Sequence, residues 1–130
     1  MNYLKSNLKK FDKVIVCDFG HGLINDEVAE ILQKKSKFLC INIQTNSGNR
    51  GFNLFTKFKK ADLLALDEPE IRLGLSARYK SLDKIIYDKK LQKFKNIMIT
   101  LGVNGLALKL SGEKKYTFFP ALGSNIIDTI

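Results

Sequence analysis

Four short polar stretches in this chain carry residues that can handle a phosphate or another small anion. Gln44-Thr-Asn-Ser-Gly-Asn-Arg-Gly51 contains one of only three arginines, Arg50, together with Asn46 and Asn49. A guanidinium fork and the backbone N–H groups of such a loop can cradle a phosphate; the alternative is an ordinary surface loop. His21, the single histidine, stands between two glycines and close to Asp18, where it either meets a ligand or caps the next helix or its own loop. Asp67 and Glu70 are carboxylates three residues apart, and a first-turn helix acid is the plain reading of Glu70. Thr100-Leu-Gly-Val-Asn-Gly105 is either a strand-to-hairpin turn or part of a ligand wall.

These stretches matter together only if the fold gathers them. Val14-Ile-Val-Cys-Asp-Phe19 is an apolar, β-branched run ending at Gly20-His-Gly22, which predicts a buried strand entering a tight loop. Asn25 or Asp26 then caps a helix through Lys34, with Val28, Ile31 and Leu32 on one face, acids first and lysines last. Phe38-Leu-Cys-Ile-Asn-Ile43 predicts a second strand, Leu63-Leu-Ala-Leu-Asp67 a third and Asn96-Ile-Met-Ile-Thr-Leu-Gly102 a fourth. Glu68-Pro-Glu70 opens a helix reaching about Tyr79, and Leu82 to Phe94 reads as its continuation or a second helix. Leu106 to Leu110 and Tyr116 to Phe119 predict an antiparallel hairpin. The expected fold is α/β: a doubly wound, mostly parallel sheet with an antiparallel edge hairpin, forming a single domain over residues 1–130. In such a sheet ligands bind outside the carboxyl ends of the strands. One rim should therefore hold Asp18, His21, Arg50, Glu70 and Thr100.

Composition narrows the functions. The formal charge is +9, but 19 of the 22 basic residues are lysines spread along the chain. Base readout favours arginine in a compact patch with stacking aromatics, so nucleic acid is not an expected partner. No apolar run is long enough to cross a membrane and the amino-terminal residues lack a secretory pattern, so a cytoplasmic protein is expected. Cys17 and Cys40 lie within strand runs and are expected to be buried, reduced thiols. Phe52, Phe55 and Phe58, three apart, read as core rather than as a stacking platform.

The order of these motifs resembles the nucleotide-holding, carboxy-terminal part of the ribokinase-like (PfkB) carbohydrate kinases. That family has Asn-x-x-Glu, then Thr-x-Gly-x-x-Gly, then Asp-Thr-x-Gly-Ala-Gly-Asp. This chain has Asp67-Glu-Pro-Glu70, Thr100-Leu-Gly-Val-Asn-Gly105 and Asn125-Ile-Ile-Asp-Thr-Ile130 in the same order. Val16-Cys-Asp-Phe-Gly-His-Gly22 also resembles the Ser-Asp-Tyr-Gly-Lys-Gly turn of the family's heptose-phosphate kinases. Two positions depart from the pattern: Asp67 stands where the family has an amide, and His21 where it has a lysine.

The resemblance implies an ATP- and magnesium-dependent kinase acting on a sugar or sugar phosphate. Thr100, Gly102, Gly105 and Asp67 would border the nucleotide, and Glu70 would organise magnesium through water. Asp18, His21, Asn46, Asn49 and Arg50 are candidate contacts to substrate or phosphate, and Asp128 and Thr129 would lead into the anion hole. The Gly-Ala-Gly-Asp segment that supplies anion hole and base is expected beyond Ile130, so the chain is expected to be a fragment of a larger kinase and inactive alone. A homodimer is left open. The alternative is a non-catalytic Rossmann-like module that binds a phosphorylated ligand.

Overall fold

A computed structural model describes residues 1–48 and 50–123 of the chain. Helix α1 (Asn2–Asn7) precedes strand β1 (Val14–Asp18), helix α2 (Asp26–Lys35) and strand β2 (Leu39–Ile43). Strand β3 (Leu63–Asp67) runs directly into helix α3 (Glu68–Gly74), followed by α4 (Leu82–Ile86), β4 (Asn96–Thr100) and the hairpin strands β5 (Leu106–Lys109) and β6 (Thr117–Phe119). The strands form one sheet in chain order. β1 to β4 are parallel, and β5 and β6 are added antiparallel at the edge. This is the expected mostly parallel α/β sheet with its edge hairpin.

The alternation of each strand decides where the core lies. Val16, Ile41, Leu64 and Ile97 are register partners across four strands, and all are at most 5% exposed. One step along, Leu66, Ile99 and Ala107 form a second buried row on the same face. Helix α2 lays Val28, Ala29, Ile31 and Leu32 on this core, and Phe55, Phe58, Ile71, Ile85, Ile86, Leu91 and Phe94 fill it from the connections. Each of the larger side chains withdrawn from water contributes about 2 kcal/mol. The cap of α2 is Asn25, whose Oδ1 accepts the Val28 N–H at 2.9 Å.

Several boundaries differ from expectation. The polar lead-in, for which no element was expected, forms α1, whose Leu4 packs against the core, followed by a 3-10 turn with buried Leu8. Two leucines were too sparse a pattern to announce a helix. The helix expected to reach Tyr79 stops at Gly74, where a Cβ would come 2.3 Å from the Phe55 ring, and Ser76 then adopts φ 51°. The helix expected to reach Phe94 stops at Ile86; Asp88 Oδ1 accepts the Lys90 N–H at 2.9 Å and holds a turn instead. Cys17 is exposed and Cys40 half-buried, contrary to the buried thiols expected, because both point to the open face opposite the core. Among the three phenylalanines, Phe55 and Phe58 are core but Phe52 is 92% exposed.

Candidate functional site

The carboxyl ends of β1 to β4 share one edge because the strands are parallel: Asp18 pairs with Ile43, and Asp67 with Thr100. The strand ends expected to gather on one rim do so, and among the described residues they border at least three separate hollows.

The first, about 530 Å³, follows β1 and is lined by Asp18, Gly20, Asn25, Asn53 and Lys57 among others. Asp18 is 4% exposed and forms an ion pair with Lys57. Lys57 Nζ also donates to Asn53 Oδ1 at 2.7 Å and to the Ile24 carbonyl at 3.2 Å. Asn53 Nδ2 in turn donates to the carbonyls of Asp18 and Gln44 at 3.1 and 3.2 Å. These bonds tie the β1 and β2 loops together, so the Asp18 carboxylate is engaged inside the protein. Sequence reading missed Lys57 and Asn53, since a lysine in a basic chain gives no sign of being buried. His21 is exposed, lines none of the three hollows, and has its ring 6.4 Å from that of Phe19.

The other two hollows lie on either side of a ridge made by Asp67 and Pro69. The ridge is rigid for a local reason. Asp67 Oδ1 accepts the Glu70 N–H at 2.7 Å while Glu70 Oε2 accepts the Asp67 N–H at 3.0 Å, a reciprocal capping box with proline in the first turn. Glu70 Oε1 takes the Thr45 N–H at 3.1 Å, fastening the β2 loop to the ridge. Glu70 is 8% exposed. Burial pushes its carboxyl up to about 7, a rise that the Asp67 and Thr45 N–H groups oppose and the neighbouring Asp67 charge adds to.

On one side of the ridge, a hollow of about 570 Å³ is lined by Asp67, Glu68, Pro69, Thr100, Leu101, Gly102 and Gly105. Its far wall is the expected glycine turn. Gly102 has φ 57° and Gly105 φ 86°, and the Leu101 N–H closes the turn on the Gly105 carbonyl at 2.8 Å. The two glycines serve different ends. A Cβ on Gly102 would meet nothing within 4 Å, whereas one on Gly105 would lie 1.9 Å from the Phe119 carbonyl. Gly105 is thus required by the hairpin behind it, and Gly102 leaves the hollow open.

On the other side, a cleft of about 700 Å³ is lined by the β2 loop (Thr45, Asn46, Ser47 and Arg50) and by α3 and its exit, including Glu70, Leu73, Ser76 and Arg78. Asn46 Oδ1 accepts the Gly48 N–H at 2.9 Å, shaping that loop. Asn49, expected as a candidate substrate or phosphate contact, and Asp128 and Thr129, expected to lead into the anion hole, lie outside the described residues.

Among the described residues no group of three His, Cys, Asp or Glu side chains gathers to enclose a metal ion. Magnesium in phosphate sites needs less, taking one or two carboxylates with waters and ligand phosphates. Asp67 suits that role because it borders both hollows, and it accepts a single backbone N–H, that of Glu70, through Oδ1. Both Glu70 oxygens already hold N–H donors, which leaves Glu70 suited to contact through water rather than direct ligation.

No protein-family model and no curated protein sequence matches the chain. Solved structures do. The ribokinase of Giardia lamblia superposes with a TM-score of 0.67 at 15% identity, over 96% of this chain and 41% of that one. The Arabidopsis thaliana ribokinase, determined with ribose and ATP, gives 0.66 at 17% identity over 96% and 40%. The Thermotoga maritima ribokinase gives 0.66 at 21% identity over 96% and 40%. The chain spans about two-fifths of the length of these kinases. The six-stranded mixed sheet and its flanking helices are thus part of a ribokinase-type fold.

Proposed function

We propose that this chain forms one wall of the nucleotide site of an ATP- and magnesium-dependent kinase that phosphorylates a sugar or sugar-phosphate hydroxyl. The observation that carries the reading is the hollow between the Asp67 to Pro69 ridge and the Thr100 to Gly105 turn. There the backbone of an open glycine turn faces the Asp67 carboxylate, at the strand edge where this fold class binds ligands. Phosphoryl transfer depends on positioning and on neutralising charge around the phosphates. Asp67 would hold magnesium, which when bound offsets the charge of the phosphates. The turn would let nucleotide lie close to the backbone, and Glu70 keeps the ridge in place through its bonds to Asp67 and Thr45. Thr100 and Gly105 set the far wall.

None of the described residues forms the Gly-Ala-Gly-Asp segment that the resemblance assigns to base and anion hole, so these 130 residues are expected to phosphorylate no sugar by themselves. The test of the nucleotide wall is binding. ATP should bind with a Kd no tighter than roughly millimolar, about 4 kcal/mol, since a half-enclosed phosphate stays largely in water. Gly102→Val should abolish this binding, while Lys89→Gln with Lys90→Gln should leave it nearly unchanged. The opposite ranking in an NMR titration would show that general positive charge, not the turn, attracts ATP.

A further inference from the structure

All three arginines of the chain, against nineteen lysines, line the same cleft between the β2 loop and α3. Their roles divide. Arg72 is structural: it forms an ion pair with Glu68 at 2.6 Å, and one terminal nitrogen donates to the carbonyls of Ala77, Arg78 and Lys80 at 3.2, 3.3 and 2.7 Å. The Ala77 N–H returns to the Arg72 carbonyl at 2.8 Å. Arg72 thereby pins the turn that carries Arg78, and that turn includes Ser76, the one non-glycine residue with positive φ among the described residues. Arg78 and Arg50, by contrast, have no ion-pair partner among the described residues, and Arg78 sits 5.5 Å from the ring centre of Tyr79. The cleft therefore holds two unpaired guanidinium groups, one on a braced turn and one on the loop fastened by Glu70. The lining also has an apolar strip, Pro69, Leu73 and Ala77.

We propose that this cleft is an anion subsite in which Arg50 and Arg78 hold the phosphate monoester of a small phosphorylated molecule, with its carbon skeleton lying on Pro69, Leu73 and Ala77. A planar fork matches phosphate oxygens two at a time, and arginine is less strongly hydrated than lysine, which explains why this cation was placed here alone. Two carboxylates, Asp67 and Glu70, also border the cleft. Their capping bonds direct three of their four oxygens to backbone N–H groups. The inference deepens the sugar-phosphate arm of the kinase reading, yet it concerns the opposite side of the ridge from the nucleotide hollow and can fail separately.

The experiment is an NMR titration of the full chain with glucose 6-phosphate, with glucose, inorganic phosphate and ATP as parallel arms at fixed ionic strength. Glucose 6-phosphate should give saturable shifts at Arg50, Arg78 and Ala77, phosphate weaker ones at the same residues, and glucose none. Arg50→Gln with Arg78→Gln should raise the Kd for glucose 6-phosphate by roughly tenfold or more, and Lys89→Gln with Lys90→Gln by less than about twofold. Equal losses in both pairs, or shifts spread over the lysines, would overturn the subsite. Phosphate binding as tightly as glucose 6-phosphate would overturn the organic phosphate as its ligand, and so would ATP shifting this cleft in preference to Thr100 to Gly105. Because Arg50 and Arg78 are exposed and make no ion pair among the described residues, their replacement leaves the core intact, which the unchanged spectrum of the ligand-free variant checks.

Discussion

Replacing Glu70 by glutamine should change how stability depends on pH, and the structure gives the size of the change. The carboxyl is held up to about 7 from an ordinary 4.5 because it is buried beside Asp67. A group whose folded value is raised binds its proton more tightly when folded, so its contribution is fully present below pH 4.5 and is lost as pH rises through about 7. The rise corresponds to about 3 kcal/mol between those limits. Glutamine cannot titrate, and the remaining carboxylates are common to both proteins. The stability of the parent relative to Glu70→Gln should therefore fall by about 3 kcal/mol between pH 4.5 and pH 8. Urea denaturation of both proteins at half-unit pH steps reads the difference directly. Parallel curves, with an offset constant to within roughly 0.5 kcal/mol, would refute a buried, proton-binding Glu70.

Two further outcomes test the framework of the site. Gly105→Ala should cost roughly 3 kcal/mol or more, since its Cβ would overlap the Phe119 carbonyl, whereas Gly102→Ala should cost only about 1 kcal/mol for its left-handed backbone; thermal melts of both should keep that order. Lys57→Met should cost about 3–5 kcal/mol in chemical denaturation by leaving the Asp18 carboxylate buried without its cation, and Asp18→Asn in the same chain should restore part of the loss.

The sequence by itself determined the strands and most of the rim. Alternation and β-branching marked the core of β1 to β4, because a strand buried on at least one face must be apolar where it meets the core. Glycines 102 and 105 marked a turn because few other residues adopt positive φ, and Glu68-Pro-Glu70 marked a helix start because proline and acids suit a first turn, whereas the capping box between Asp67 and Glu70 was seen only in the structure. Cys17 and Cys40 show the limit: a β-branched run announces a strand, but only the register and the packing of helices on one face decide which of its residues are covered. The need for glycine at position 74 was decided the same way, by the Phe55 ring packed against it, a contact nineteen residues apart in the chain. The burial of Lys57 beside Asp18, the rise of Glu70, and the sorting of one rim into three hollows all depend on charges and backbone groups brought together from separate loops. Three arginines among nineteen lysines were visible from the start as a count. Their meeting in one cleft, with one bracing the turn and two without an ion pair among the described residues, is a property of the tertiary structure alone, because side chains at positions 50, 72 and 78 share no local pattern that could bring them together.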